Sequence, residues 1–370
     1  MNKRQKIVQE AFLENEEAVI KRLKQVYNKS LEDITKKASE LQAQINAMDE
    51  MMEQIDDPEE LARIKSMKQS KVYQKQYQDA LKKQVNSILD NMQVEEFKTV
   101  EEYLNKCYEE GFLGTMYDLQ GQGIPLCFPL DQEAMVRAIQ IDSKISEGLY
   151  TRLGKDVVYL KKNIVSEISR GIATGMSFQQ MAKQLSRYTN IGFNNAVRIT
   201  RTEGHRIQIQ ATMDCCWEAK ERGADIVKQW DSTLDGRTRP SHRKVDGEIR
   251  ELDEPFSNGL MMPSDPKGKA SEVINCRCGL FQRARWALEG SMTKMNNFTK
   301  KIESFESEAD YKKFKKAFFS DENVRYMNYV ETLRKRYKTK DFKKVLEKMT
   351  EREYEHYFKL LNETPIYKNK

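Results

Sequence analysis

Nine apolar residues, Tyr27, Leu31, Ile34, Ala38, Leu41, Ile45, Met48, Met52 and Ile55, step by four and three without a break. Charged and polar residues fill the positions between them. An uninterrupted seam of this period forces a long amphipathic helix that must lay one stripe against another helix. Asp56-Asp57-Pro58-Glu59-Glu60 ends that helix and starts the next, with Asp57 as N-cap, Pro58 in the first turn and Glu60 at the capping-box position. A second stripe runs through Leu61, Ile64, Tyr73, Tyr77, Leu81, Val85, Ile88 and Met92. The two stripes predict an antiparallel helical hairpin, a coiled-coil arm over residues 1–106.

Downstream the pattern loosens. Gly111, Gly114, Gly121, Gly123, Pro125 and Pro129 predict an irregular connector. A linking helix resumes near Gln132, with a break at Gly148, so that residues 107–149 join the arm to a central domain. Ser177 and Gln180 read as a capping box opening a short helix through Leu185, and a separate helix runs from near Asn194 to Gly223. The period then changes to that of a strand at Ile226–Trp230, and Asp246-Gly247 reads as a type I′ hairpin turn over residues 244–249. Residues 150–285 are thus expected to form the central domain, of helices plus a small antiparallel sheet. The fold class is mainly α with a small α+β domain, ending in a basic helical tail over residues 286–370.

Composition fits elongated helices better than one sphere. Charged residues make up 32% and apolar ones 39%, and the mean hydropathy is −0.77. No apolar run approaches the roughly 18 residues that span a bilayer, and the basic N-terminus is not followed by the apolar stretch of a signal peptide. A membrane partner is therefore not expected. Six cysteines with no framework spacing suggest free or metal-bound thiols.

The unusual residues gather between Arg198 and Cys278, and three kinds of chemistry are open to them. His242, Cys276 and Cys278 have the donor types of a zinc site, with Asp246 or Asp235 as a candidate fourth ligand. Cys276 and His242 could instead be nucleophile and base, or the three could be a packed polar cluster. Arg201, Glu203, Arg237 and Arg239 could form an ion-pair network or contact phosphates. Gly268-Lys269 is not a phosphate-binding loop, because Pro263 and Ala270 stand where that motif needs a glycine and a hydroxyl.

Taken together, Arg201-Thr202-Glu203, Trp230, Asp235-x-Arg237-Thr238-Arg239, His242, Asp246-Gly247, Pro263-x-Asp265-Pro266 and Asn275-Cys276-Arg277-Cys278 resemble the Mu F-type phage head morphogenesis family. The resemblance covers about residues 150–282. It implies a minor capsid, or minor head, protein of a tailed phage or prophage, resident in the virion at the head interior or portal vertex after assembly in the host cytoplasm. Implied partners are the portal protein, scaffold or major capsid protein, and double-stranded DNA during packaging or delivery. Some members carry C-terminal toxin domains. Here the tail has His356 as its only histidine, and the reading is of a protein that is not an enzyme. The rival is a metal-dependent nuclease or hydrolase, or a toxin-bearing effector, built on His242, Cys276 and Cys278.

The tail itself lies outside the resemblance. Residues 291–370 hold 20 Lys+Arg against 13 Asp+Glu, which is more than the chain's whole net charge of +6. Lys312, Lys313, Lys315 and Lys316 form one cluster and Arg334, Lys335 and Arg336 begin another, with Phe314, Phe318, Tyr326, Tyr329 and Tyr337 between. Basic residues with interleaved aromatics suggest contact with DNA phosphates, and a chain ending near Trp286 is expected to keep the central fold.

Overall fold

The computed structural model describes residues 2–69, 71–140, 149–174, 176, 178–288, 292–339 and 341–365. The chain opens with six helices: α1 (Lys3–Glu53), α2 (Pro58–Gln69), α3 (Lys71–Gly121), α4 (Gln132–Gln140), α5 (Leu149–Ala173) and α6 (Phe178–Glu221). Then come β1 (Ile226–Asp231), α7 (Pro240–Val245), β2 (Ile249–Arg250), α8 (Ala270–Val273) and β3 (Gly279–Ala284). The C-terminal part adds β4 (Met292–Asn296), β5 (Lys301–Phe305), α9 (Glu308–Phe318), α10 (Asp321–Arg336), α11 (Phe342–Leu346) and α12 (Glu351–Glu363). The protein is mainly helical with small antiparallel sheets of two and three strands, as the periodicities predict.

Two compact units divide the chain. One comprises Phe12–Cys107 and Ile139–Gly204; the other comprises Met1–Ala11, Tyr108–Ala138 and His205–Lys370.

The first unit is a bundle of α1, α3, α5 and α6. Partner numbers that rise along α1 fall along α3: Asn15 bonds Lys106, Arg22 pairs with Glu102, and Tyr27 bonds Glu96. The two helices are therefore antiparallel, as the seam requires. Tyr27, Ile34 and Ala38 are buried, and Val85, Leu89 and Met92 answer them on α3. The side chains of Leu41, Ile45, Met48, Tyr73, Tyr77 and Leu81 lie outside those described. The hairpin does not stand alone, however. Phe193 of α6 packs edge-on to Tyr27, and Arg201 pairs with Glu16 at 2.9 Å. Asn195 bonds Asp156 of α5. The break between α1 and α2 obeys the expected chemistry. Asp57 Oδ1 accepts from Glu59 N at 2.9 Å, and Pro58 opens the helix.

Two expected breaks are corrected by the helices. α3 runs on to Gly121 instead of breaking near residue 107. A Cβ at Gly111 would lie 2.6 Å from Gln208 O, and one at Gly114 would lie 2.6 Å from Val8 Cγ1. These glycines admit a neighbouring helix; they do not end their own. Likewise α6 is one helix from Phe178 to Glu221, with no break before Asn194. Gly192 sits within it against Tyr27, whose Cε1 would be 3.1 Å from an added Cβ. The expected cap at Ser177 and the break at Gly148 lie outside the described residues.

The second unit centres on the sheet β2-β1-β3, antiparallel throughout. The β1–β3 register aligns Trp230 with Leu280 and Asp231 with Gly279. Asp118, from the end of α3, ties this sheet to the chain's beginning: it accepts from Gln5 Nε2 at 2.9 Å and Gln282 Nε2 at 2.7 Å. Burial raises the Asp118 carboxyl above its ordinary range, which hydrogen bonds from Asn2, Gln5 and Gln122 partly offset.

The tail differs from the expected run of helices. It begins with the β4–β5 hairpin, whose turn places Lys300 at φ 61°. Phe314, Phe318, Tyr326 and Tyr329, which lie among its basic residues, are not free stacking surfaces. Phe298, Phe318, Tyr326, Tyr357 and Leu360 form a buried cluster with Leu234 of the central stretch, and Phe314 and Tyr329 pack against it. A Cβ at Gly236 would lie 2.7 Å from Asn328 Oδ1, so α10 approaches the central loop closely. Ending the chain at Trp286 would strip this cover from Leu234, and the packing argues against the tail being a separable appendage.

Candidate functional site

β1 supplies the foundation. Trp230 is fully buried at 0% exposure, edge-on to His242 and Phe256 at 5.1 Å from each ring. Its indole N–H donates to Ser232 Oγ, and Ser232 Oγ in turn donates to His242 O at 2.7 Å. The hydrophobic cluster around Trp230 includes Val245, Phe256, Leu260, Cys276, Cys278 and Leu280. The backbone from Ser232 to Arg239 forms no regular element, so its polar groups need side-chain partners. Asp235 Oδ1 accepts from Arg237 N, and Thr238 Oγ1 donates to Thr233 O. Arg277 grips Asp235 through both guanidinium nitrogens, Nη2 at 2.9 Å. Burial pushes the Asp235 carboxyl up, but the Arg277 guanidinium outweighs it and holds the group below its usual range.

Asp246-Gly247 does not form a type I′ hairpin. Asp246 has φ −60° and ψ 125°, Gly247 has φ +81°, and Glu248 N bonds Val245 O at 3.0 Å. Those angles match a type II turn, which links α7 to β2 and demands glycine at its third position. The Asp246 carboxylate is fully enclosed. It accepts from Ser232 N at 2.7 Å and bonds the Lys294 ammonium and the Tyr311 hydroxyl, while Lys315 Nζ donates to Asp246 O at 2.6 Å. Lys294 also reaches Asp231 at 2.9 Å. Burial alone would lower the Lys294 ammonium, but Asp231 and Asp246 hold it well above its ordinary value.

His242, Cys276 and Cys278 converge. Their ligand atoms lie within 4.8 Å of one another and all three residues are buried. His242 Nδ1 is 3.3 Å from Cys278 Sγ and 3.7 Å from Cys276 Sγ. His242 Nε2 lies 3.0 Å from Glu272 Oε2, off the line of a full hydrogen bond, and Ser241 Oγ donates to that same oxygen at 2.7 Å. Hydrogen bonding from Cys278 brings the Cys276 thiol down to about 7 against its burial, while Cys278 itself is pushed up by its bond to Cys276 and by burial. Asn275 sets the approach of this pair, at φ 54°. Asparagine tolerates the left-handed region better than most residues. The proposed fourth ligands do not join the three: Asp235 is taken by Arg277 and Asp246 by Lys294.

Other predicted residues fall elsewhere. Arg201, Thr202 and Glu203 belong to the helical bundle, where Glu203 pairs with Arg152 at 2.6 Å and Thr202 Oγ1 donates to Arg198 O. Arg239 Nη2 donates to Ile274 O, and Arg237 lies 3.7 Å from Asp235. Pro263 is buried, and Asp265 closes its turn by accepting from Met261 N and Lys267 N, both at 2.8 Å. Gly268 packs under Val273, whose Cγ1 would be 2.8 Å from an added Cβ, and has no part in phosphate binding. Of the basic tail set, Lys312 pairs with Glu308, Arg334 with Glu331 and Arg336 with Glu353, while Lys313, Lys316 and Lys335 are exposed with no ion pair among the described residues.

Sequence reasoning missed Glu272, Lys294, Tyr311, His205 and Lys228. His205 Nδ1 lies 2.7 Å from Ser264 Oγ, and burial pushes its imidazole down to about 4. Lys228 Nζ donates to Leu252 O and Met261 O, each at 2.9 Å, and burial brings its ammonium down to about 8. A lysine inside a strand of apolar neighbours was the one visible signal among them.

Residues 162–281 match the family described as Phage Mu protein F like protein. The chain is 33% identical over 198 residues to the NAD(+)–arginine ADP-ribosyltransferase EFV of Enterococcus faecalis, covering 53% of this chain and 41% of that protein. It is 28% identical over 211 residues to the minor head protein GP7 of Bacillus phage SPP1, covering 54% of this chain and 67% of that one. The chain thus spans less than half the length of the first of these relatives. No solved structure matches it.

Proposed function

We propose that this chain, Mu F-like over residues 162–281, is a minor head protein of a tailed phage or prophage, acting in head morphogenesis. Its place is the virion, at the portal vertex, with the portal protein as first partner and scaffold or major capsid protein as further ones. DNA packaging or delivery is the step it serves. The likeness to a phage minor head protein supports the class.

The observation that carries the reading is how the polar residues of the central stretch are used. Asp235, Asp246, His242, Cys276 and Cys278 are buried, and each is engaged by another protein group. A hydrolytic centre needs a nucleophile, base or metal that substrate can reach. These side chains instead brace irregular backbone, which suits a part that binds neighbours in an assembly. The longest helix pair, α1 and α3, suits docking to other head proteins. No described helix is long and apolar enough to cross a membrane.

The test uses full-length chain co-expressed with the portal protein of the same genome. Co-purification with portal, and absence of the chain from particles assembled without portal, is the expected result. A nuclease assay and an ADP-ribosylation assay on the same preparation address the enzyme reading. Cleavage of DNA abolished by His242→Ala, with no portal association, would replace the proposal by the hydrolase.

A further inference from the structure

We infer that His242 Nδ1, Cys276 Sγ and Cys278 Sγ hold a zinc ion whose task is structural. Tetrahedral zinc binds sulfur at about 2.3 Å and imidazole nitrogen at about 2.1 Å, which sets ligand nitrogen and sulfur roughly 3.5 Å apart. The two separations from His242 Nδ1, 3.3 and 3.7 Å, bracket that spacing. Three donors of the right type, all buried, converge on one point.

A second observation points the same way. Metal-bound histidines usually turn their other ring nitrogen to a carboxylate or carbonyl, which fixes the ring and raises its donor strength. Here Glu272 Oε2 stands 3.0 Å from His242 Nε2. Glu272 is itself held by Ser241 Oγ, from the residue before His242. The sulfur side is prepared too. Cys276 and Cys278 lie just before β3, and both sulfurs approach the same ring nitrogen of His242. The left-handed Asn275 turns the chain into that pair.

The ion would answer a real need of this segment. Between β1 and β3, α7 has six residues, β2 two and α8 four. So little regular structure leaves Pro240–Val245 and Asn275–Cys278 joined by side chains and not by a ladder. A zinc ion bridging His242 to the Cys pair closes that loop, and small metal-held units commonly draw their folding energy from such a bond. Among the described residues three protein ligands stand at the site, which leaves the fourth position to a water molecule. The burial of all three residues keeps substrates away from it, so the site braces the fold and does no catalysis.

The test is metal analysis of full-length protein purified without chelators, with cobalt substitution. One zinc per chain, and a cobalt form showing thiolate-to-metal charge transfer with tetrahedral d–d bands, are expected. Cys276→Ser and Cys278→Ser should abolish both, and Cys215→Ser should leave both intact. Glu272→Gln should keep the metal but weaken it by roughly 10- to 100-fold in competition with a chelator. If the Cys variants do not fold, the parent protein decides alone. Parent protein that holds no zinc and gives cobalt no thiolate bands overturns the proposal. So does full metal content in soluble Cys276→Ser.

Discussion

Replacing Lys294 by methionine tests whether the tail is part of the central fold. The ammonium lies between Asp231 and Asp246, and the Asp246 side chain is completely enclosed. Lys294→Met keeps the volume and leaves Asp246 with one neutral and one backbone donor, beside a second carboxylate. Breaking a buried pair by removing one partner costs about 3–5 kcal/mol. For a unit of this size that is a fall in melting temperature of roughly 6–20 °C. Asp246→Asn should cost less, because Lys294 retains Asp231. The double variant should recover about 0.5–3 kcal/mol of the summed losses, as contacting residues do. The sign of the pH dependence is also fixed. Lys294 is held above its ordinary value, so its contribution is complete below the unfolded lysine pKa near about 10.4 and is lost only as pH rises through the higher folded value. The deficit of Lys294→Met should therefore be flat between roughly pH 6 and 9. Thermal melts and urea unfolding of full-length proteins measure all of this. If Lys294→Met lies within about 1 kcal/mol of the parent, or if the double variant shows no coupling, the tail does not brace the loop and the reasoning fails.

Glu96 gives the helical bundle a pH dependence of opposite sense to an ordinary carboxylate. Burial pushes it up to about 7, with Tyr27 donating to one oxygen and the other without a hydrogen-bond partner. Since its unfolded value is about 4.3, its contribution is full below that and lost as pH rises through 7; Glu96→Gln should flatten the melting profile and gain on the order of 2–4 kcal/mol at pH 8. Gly247→Val should cost more than about 1 kcal/mol from its φ of +81° alone, because the nearest atom to the new Cβ is a tolerable 3.5 Å away; an unchanged melting temperature would argue against the type II turn. Contact with DNA phosphates rests first on Lys313, Lys316 and Lys335, the exposed members of the basic set that make no ion pair among the described residues; Lys312 and Arg336 are exposed too but pair with Glu308 and Glu353. Replacing Lys313, Lys316 and Lys335 by alanine should flatten the log–log salt dependence of DNA binding by roughly 2.7, at about 0.9 per phosphate, and equal slopes for parent and variant would remove DNA from the partners of the tail.

The features legible in the sequence were those that depend on near neighbours. The seam from Tyr27 named a helix, and Asp57-Pro58 named its successor's start, because periodicity and capping act over a few residues. The Ile226–Trp230 strand and the meeting of His242 with Cys276 and Cys278 were also visible, the second through residue type alone. Glycine was misread wherever its role was distant. Gly111 and Gly114 look like breakers until Gln208 and Val8 are set beside them. The β4–β5 hairpin was hidden because Phe298, Ile302 and Phe305 satisfy a helical spacing as well as they do this hairpin. Glu272 and Lys294 carried no local mark; only the fold brings them to His242 and Asp246.

In the central stretch a dense polar motif has a use other than catalysis. From Ser232 to Arg239 and again from Asp253 to Lys269 the chain has little regular structure. Buried backbone without a ladder or helix must find its hydrogen-bond partners among side chains. Asp235, Thr238, Asp246, Asn258 and Asp265 each accept from or donate to main-chain groups here. Residues of that kind cannot be exchanged for apolar ones without orphaning an N–H or C=O, at about 1–3 kcal/mol for each. Arg277 and Lys294 are then required as counterions, because the aspartates that serve the backbone are buried with their charge. Aspartate, histidine, cysteine and arginine thus accumulate in one segment for the sake of its irregular path. The same residue types would mark an active site if solvent reached them; under the proposed function, their enclosure assigns them to holding the loop in shape.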